Sequence, residues 1–129
     1  MSEQNVKVVR AALDSYNRGD SEAMLKYAAP GCELDWSRSI GPQRGVYTID
    51  QLSQLNLAET FESVRTEAQD FIDHEKHVVT PLIGYMLGRD GIDVTARFTY
   101  LWTLRGGAVI RVTLYQELQE ALEAVGLSG

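Results

Sequence analysis

From Ile92 to Tyr115 apolar and polar residues alternate through two runs, IDVTARFTYLWTL and AVIRVTLY, joined at Arg105-Gly106-Gly107. A period of two broken by a glycine pair predicts an antiparallel hairpin with one covered face. On that face the alternation places Val94, Phe98, Tyr100, Trp102 and Leu104, then Ile110, Val112 and Leu114. Arg97, Thr99, Thr103, Arg111 and Thr113 take the other side. Tyr100 and Trp102 carry a phenol and an indole to the covered side, where a buried polar tip must find a hydrogen-bond partner that Leu, Ile or Val would not need. The pattern suggests a lined cavity.

Upstream, Val6, Val9, Leu13 and Tyr16 recur at helical spacing, and Asn17-Arg18-Gly19 supplies a stop. Asp20 and Glu22 open a shorter helix carrying Met24, Leu25 and Tyr27, which Pro30-Gly31 ends. A short strand is expected over Cys32–Trp36 and a loop over Ser37–Gly45. Thr48 with Gln51 three residues on has the spacing of a capping box, opening a third helix through Leu52, Leu55 and Phe61. Strand-like runs then follow over Val64–Ile72, Val78–Leu87, Ile92–Leu104 and Ala108–Gln116, and Glu117–Val125 closes as a helix with Gly126 as its stop. Helices first and strands last predict an α+β fold, one domain over residues 1–129, in which a twisted antiparallel sheet curls around the helices so that they pack on its concave face.

The 129 residues carry 12 Lys and Arg against 18 Asp and Glu, a net charge of −6. Nucleic acid is not an expected partner for such a surface. No apolar run approaches the roughly 18 residues of a membrane span, and the start MSEQNVKVVR has no apolar stretch after its charges, so a cytoplasmic protein without a membrane partner is expected. Cys32 is the sole cysteine and fits as a small buried apolar residue.

Three segments, VVRAALDSYNRGDSEAMLKYAAPGCELDW, RGVYTIDQL and FTYLWTLRGGAVIRVTLYQELQEALEAVGL, resemble the SnoaL-like branch of the nuclear transport factor 2-like superfamily over nearly the whole chain. The most telling pieces are Asn17-Arg18-Gly19-Asp20, Trp36 and Trp102-Thr103-Leu104-Arg105-Gly106-Gly107. The resemblance implies a cone-shaped α+β barrel, a ligand cavity inside the cone, and a dimer formed through the outer sheet face. The superfamily includes ketosteroid isomerases, polyketide cyclases, limonene epoxide hydrolase and domains without assigned chemistry. Register from Gly19-Asp20 puts Ala12 at the isomerases' tyrosine, Trp36 at their base and Tyr100 at their late-strand acid, so that mechanism is not expected here. Nor do Arg89 and Asp90 match the hydrolase's Arg between two aspartates.

Asp35 is the candidate base, because cyclases and isomerases of this type need one carboxylate, and burial raises a carboxyl pKa. Alternation puts Leu34 and Trp36 inward and Asp35 outward with Glu33, unless a bulge reverses them. Trp36, Tyr85, Phe98, Tyr100 and Trp102 are the expected ligand-binding lining, with plain filling of the cone as the alternative. Tyr100 is also the candidate electrophile, donating to a ligand carbonyl. His74 and His77 fit a solvated turn better than a metal site, Arg89 flanks the cone, and Arg38 and Arg44 are candidates to guard the pocket mouth. Neither metal nor cofactor is expected. Thr99, Leu101, Thr103, Thr113 and Tyr115 with Arg97 and Arg111 form the outward face of the hairpin, expected to pair two copies. The first functional expectation is a small-molecule-binding domain for a hydrophobic or cyclic ligand. A polyketide cyclase or isomerase-like enzyme and a filled-cone interaction scaffold are the alternatives.

Overall fold

Alternation predicted a long hairpin, and the long hairpin is the centre of the sheet. A computed structural model describes residues 2–18, 20, 23, 25–39, 44–49, 51 and 61–127. Within them lie α1 (Ser2–Asn17), β1 (Ala28–Asp35), β2 (Val46–Thr48), β3 (Phe61–Ala68), β4 (Ile72–His74), β5 (His77–Gly88), β6 (Asp93–Arg105), β7 (Ala108–Tyr115) and α2 (Leu118–Ala124). The described strands form one curved sheet in the order β2-β1-β7-β6-β5-β3, with β4 paired to β5. The α+β class is as expected. The sheet is mixed rather than wholly antiparallel, however, because β1 lies parallel to β7. Short turns force the later strands into antiparallel pairs, but no hairpin links β1 to β7 and nothing local fixes their direction.

Gly106 and Gly107 turn β6 into β7 with φ of 58° and 81°, the two positive values that a type I′ turn requires. Beyond the turn the register shifts: Leu104 opposes Val109, while Thr103 opposes Arg111. Ile110 is the extra residue of a bulge, so Val109, 3% exposed, takes the core position that strict alternation gave to Ile110. At the far end of the strand Val94 is exposed rather than covered.

Two cores lie on opposite faces. Val9, Ala12 and Leu13 of α1 pack with Leu34, Val78, Leu82, Trp102, Leu104 and Val112 on the inner face. Leu118, Ala121, Leu122 and Val125 pack on Val79, Leu101, Ile72 and Tyr115. Val79 and Leu101 alternate with Val78 and Trp102, so α2 covers the outer face. The expectation of helices on the concave face holds for α1 and is corrected for α2. The cause is β5, whose residues are apolar on both faces and leave two surfaces to cover. A Schellman turn ends α2, with Gly126 N–H donating to Glu123 O and Leu127 N–H to Leu122 O.

Earlier signals are partly realised. Ala23 N–H donates to Asp20 Oδ1 at 3.0 Å, the expected cap, and Thr48 N–H donates to Gln51 Oε1 at 2.8 Å. The third helix itself, Gly19, Glu22 and Met24 lie outside the described residues. Pro30-Gly31 does not end a helix; it lies within β1, which starts at Ala28, and Gly31 at φ 76° accompanies a register shift against β7.

One contact ties α1 to the sheet edge. Asn17 Nδ2 donates to Thr66 O at 2.7 Å, and Thr66 N–H donates to Asn17 Oδ1 at 2.9 Å. The amide thus acts as one residue of a missing neighbour strand beside edge strand β3. Among the described residues no helix is long and apolar enough to cross a membrane.

Candidate functional site

Between α1 and the inner face lies a cavity with about 70 Å³ of room for the centres of water-sized bodies, well above the roughly 10–15 Å³ that one water needs. Ala12, Leu13 and Tyr16 of α1 form one wall; Cys32, Leu34 and Trp36 another; Thr66, Tyr100, Trp102, Val109 and Val112 the sheet side. Tyr27, Ala28 and Ile49 complete the lining. The described lining residues include no carboxylate, amine, guanidinium or imidazole.

Of the five aromatics expected to line the cavity, Trp36, Tyr100 and Trp102 do so. Tyr85 does not. It opposes Arg65 across β3 and β5, and the Arg65 guanidinium lies 4.6 Å over its ring, while neighbouring Thr66 and Gly84 take the inner parity. β5 reads VVTPLIGYMLG, apolar on both faces, so its sequence carried no parity signal. Phe98 is on the inner side but outside the lining, stacked edge-on against Tyr100 at 5.3 Å and filling the space over Gly84. A Cβ on Gly84 would stand 2.9 Å from Phe98 Cε1.

The polar tips divide into used and unused. Trp102 Nε1 donates to the fully buried Thr80 Oγ1 at 3.0 Å, so its indole is satisfied by the protein and offers the cavity only a ring face. Thr66 Oγ1 donates to Asn17 Oδ1 at 3.2 Å. Trp36 Nε1 is buried without a partner. Backbone bonds fix this residue: Trp36 N–H donates to Gly45 O at 2.8 Å, and its carbonyl accepts from Ser39 and Gly45. Its ring meets Tyr47 edge-on at 6.1 Å. Tyr16 and Tyr100 hydroxyls make no hydrogen bond with any described residue. Burial raises the pKa of both phenols; for Tyr100 the neighbouring Tyr16 adds to it. Cys32, 1% exposed, is pushed up to about 11, by burial first and then by Glu33, and is a neutral thiol.

Asp35 stands on the opposite face. Cys32, Leu34 and Trp36 keep the inward parity, because the register shift in β1 falls before Glu33. The Asp35 carboxylate is not solvated, though: it is 7% exposed and accepts from Ser37 Oγ at 2.6 Å, Ser37 N–H at 3.1 Å and Arg111 Nη2 at 2.7 Å. Arg38 stands 3.6 Å away, and Arg111 also donates to Glu33 at 2.6 Å. Burial alone would raise the carboxyl pKa; the Ser37 and Arg111 bonds outweigh it, and the pKa falls below its ordinary value. This is an ionised structural carboxylate, the reverse of the raised-pKa base expected from burial.

Arg38 stacks over Tyr115 at 4.6 Å and is thus on the outer face rather than at the cavity. His74 and His77 face each other across the Glu75-Lys76 turn. The outward hairpin residues Leu101 and Tyr115 lie beneath α2.

Sequence reasoning missed Tyr16 and Thr66 as cavity residues. Tyr16 was legible as one of the helix's core positions, and its place one turn beyond Ala12, on the same face, was the available signal. Thr66 had none, because the inward parity of β3 is set by its register with β5.

This arrangement, a curved sheet with α1 across its inner face and an apolar cavity between them, is the nuclear transport factor 2-like fold. Solved structures of that fold superpose on nearly the whole chain. A nuclear transport factor 2-like protein of unknown function from Burkholderia pseudomallei K96243 superposes with a TM-score of 0.78, at 18% identity over 98% of this chain and 99% of that one. A protein from Jannaschia sp. CCS1 assigned as a SnoaL-like polyketide cyclase gives 0.73, at 19% identity over 99% of this chain and 95% of that one. TerC, co-crystallised with polyporic acid, gives 0.78, at 18% identity over 95% and 97%. No family model and no curated protein matches the sequence.

Proposed function

We propose that the chain is a small-molecule-binding domain that holds a largely apolar, cyclic ligand between α1 and the inner sheet face. The observation that carries this reading is the unfilled cavity walled by Trp36, Tyr100 and Trp102 beside Tyr16, with aliphatic residues around them. Affinity comes mainly from burial of the ligand's rings, at about 25 cal/mol per Å² of apolar surface. Trp36 and Trp102 supply flat contact area and Tyr100 a hydrogen-bond donor. Phe98 backs Tyr100 rather than touching the ligand, and Tyr85 lies on the outer face. TerC's co-crystallisation with polyporic acid supports a small-molecule ligand for a protein of this fold.

A cyclase reading draws on the Jannaschia protein. Proton abstraction needs a base within hydrogen-bond reach, and the described lining has none, with Asp35 held ionised on the other face. Binding is therefore favoured over catalysis by a protein base. The free cavity space likewise favours a ligand over a filled-cone scaffold.

We also propose that a second copy meets the outer face beyond α2, where Ile83, Tyr85 and Leu87 of β5 run between Arg65, Glu67 and Arg97. Native mass spectrometry of the purified protein tests both parts. The expected result is a species at twice the 14.4 kDa chain mass with a reproducible small-molecule adduct that denaturation removes. A bare monomer that takes up no cyclic apolar compound on titration would overturn the proposal.

A further inference from the structure

A second concavity lies towards the other end of α1 from Tyr16. It is an open cleft of about 580 Å³, within the roughly 300–1,000 Å³ of small-molecule sites. Gln4 and Asn5 of α1, Glu75 and Lys76 of the β4–β5 turn, and the Arg105-Gly106-Gly107 turn enclose it. Three contacts bring these pieces together. Leu104 N–H donates to Lys76 O at 2.9 Å, and Asn5 Nδ2 donates to Glu75 O at 3.4 Å. Gln4 Nε2 stands 3.9 Å from where a Cβ on Gly107 would lie.

The charge of this cleft runs against that of the chain. The whole sequence has a net charge of −6, yet the described cleft lining sets two cations, Lys76 and Arg105, against one carboxylate, Glu75. The described ion pairs use Arg38, Arg65 and Arg111, so neither Lys76 nor Arg105 is committed to a carboxylate. Two uncommitted cations at one opening attract an anion, and a guanidinium presents paired donors that match two oxygens of a carboxylate or phosphate.

The floor is apolar. Leu104 is buried, and Ile110, the extra residue of the β7 bulge, lines the cleft. Bulges re-aim side chains. This one gives the core position to Val109 and leaves Ile110 half-buried in the cleft, beside the two cations. The result is a charged rim over an apolar floor.

We propose that the cleft is a second binding site, for a small organic anion whose carboxylate or phosphate meets Lys76 and Arg105 while its apolar body lies on Leu104 and Ile110. It shares no lining residue with the cavity beside Tyr16, so either site can fail without the other.

The test uses naphthalene probes of similar size: 1-naphthoate, 1-naphthyl phosphate and the neutral 1-naphthalenemethanol. Binding is followed by amide chemical shifts in the nitrogen-15-labelled native chain and in Lys76→Gln, Arg105→Gln, Glu75→Gln and Ile110→Ser. Both anions should shift the amides of Lys76, Gly106 and Gly107, and the tighter of the two identifies the anionic group. Loss of either cation should weaken anion binding about two- to fivefold, the range for solvent-facing charge pairs. Glu75→Gln should tighten it by about twofold, a gain that a merely structural turn residue would not give. Raising salt from about 0.02 to 0.3 M should weaken the anions and leave the alcohol unaffected. Ile110→Ser should weaken both anions with the charges intact. Amide spectra unchanged outside the turns show that the variants are folded. Shifts confined to the amides around Trp36 and Trp102, or an affinity indifferent to Lys76, Arg105 and salt, would overturn the site. So would an alcohol bound as tightly as the anions, or no shift with either anion.

Discussion

At the scale of single residues, polar side chains show how far neighbours decide a role. Asp35 and Glu33 occupy equivalent outward positions, but Asp35 is 7% exposed and Glu33 is exposed, because only Asp35 also binds Ser37 and the chain around Arg38. Its depressed pKa ties stability to pH. The ionised form is favoured in the folded state, so the contribution is complete above the unfolded value of about 3.9 and is lost as pH falls through the lower folded value. Asp35→Asn should cost about 1–3 kcal/mol at pH 7, since bonds to an ionised acceptor are the stronger kind. In urea titrations run from pH 7 to pH 2.5, the gap between the native chain and the variant should narrow only in acid. A gap that is constant across that range would mean that the carboxylate's charge contributes nothing. The inward parity of Trp36 and Tyr100 could be read from the sequence, since each lies in an alternating run. That Trp102 would be satisfied by Thr80, 22 residues away, could not, because it depends on the register of β5 against β6.

At the scale of elements, periodicity identified α1, the β6–β7 hairpin and α2, and four things escaped it. The two-faced apolar pattern of β5 hid the side on which Tyr85 lies and the second core under α2. The bulge at Ile110 exchanged it with Val109, and alternation contains no information on where an extra residue is accommodated. The parallel pairing of β1 with β7 joins strands far apart in sequence. The docking of α1 was also invisible, because it depends on Asn17 reaching the backbone of Thr66 across 49 residues. Asn17→Ala should expose this dependence. It leaves a part-buried N–H and C=O of the edge strand unpaired, at a cost of about 1–3 kcal/mol in denaturant titration. A variant as stable as the native chain would show that water replaces the amide without loss.

At the scale of the whole molecule, the sheet divides its work between faces. The inner face, with α1, encloses a cavity with no charged residue among its described lining; the outer face carries α2 and the Asp35–Arg111–Glu33 cluster. Charge that stabilises the fold is thereby kept out of the cavity, where it would attract water and ions and cost desolvation. This separation explains why Asp35, between the lining residues Leu34 and Trp36 in sequence, takes no part in the cavity. The same fold hosts many chemistries, so function is decided by the lining residues.

Ala12 stands where the proposed ligand would lie beside α1. Ala12 is 4% exposed, lines the cavity and lies on the helix one turn before Tyr16. Replacing it with Leu, a good helix former, would put three additional carbons into the empty space. The measurement is the affinity of tetralin for the native chain and for Ala12→Leu, with thermal unfolding of both. Binding weakened by tenfold or more in a variant that still unfolds cooperatively is the predicted result. Unchanged affinity in that folded variant would place the ligand elsewhere and contradict the account.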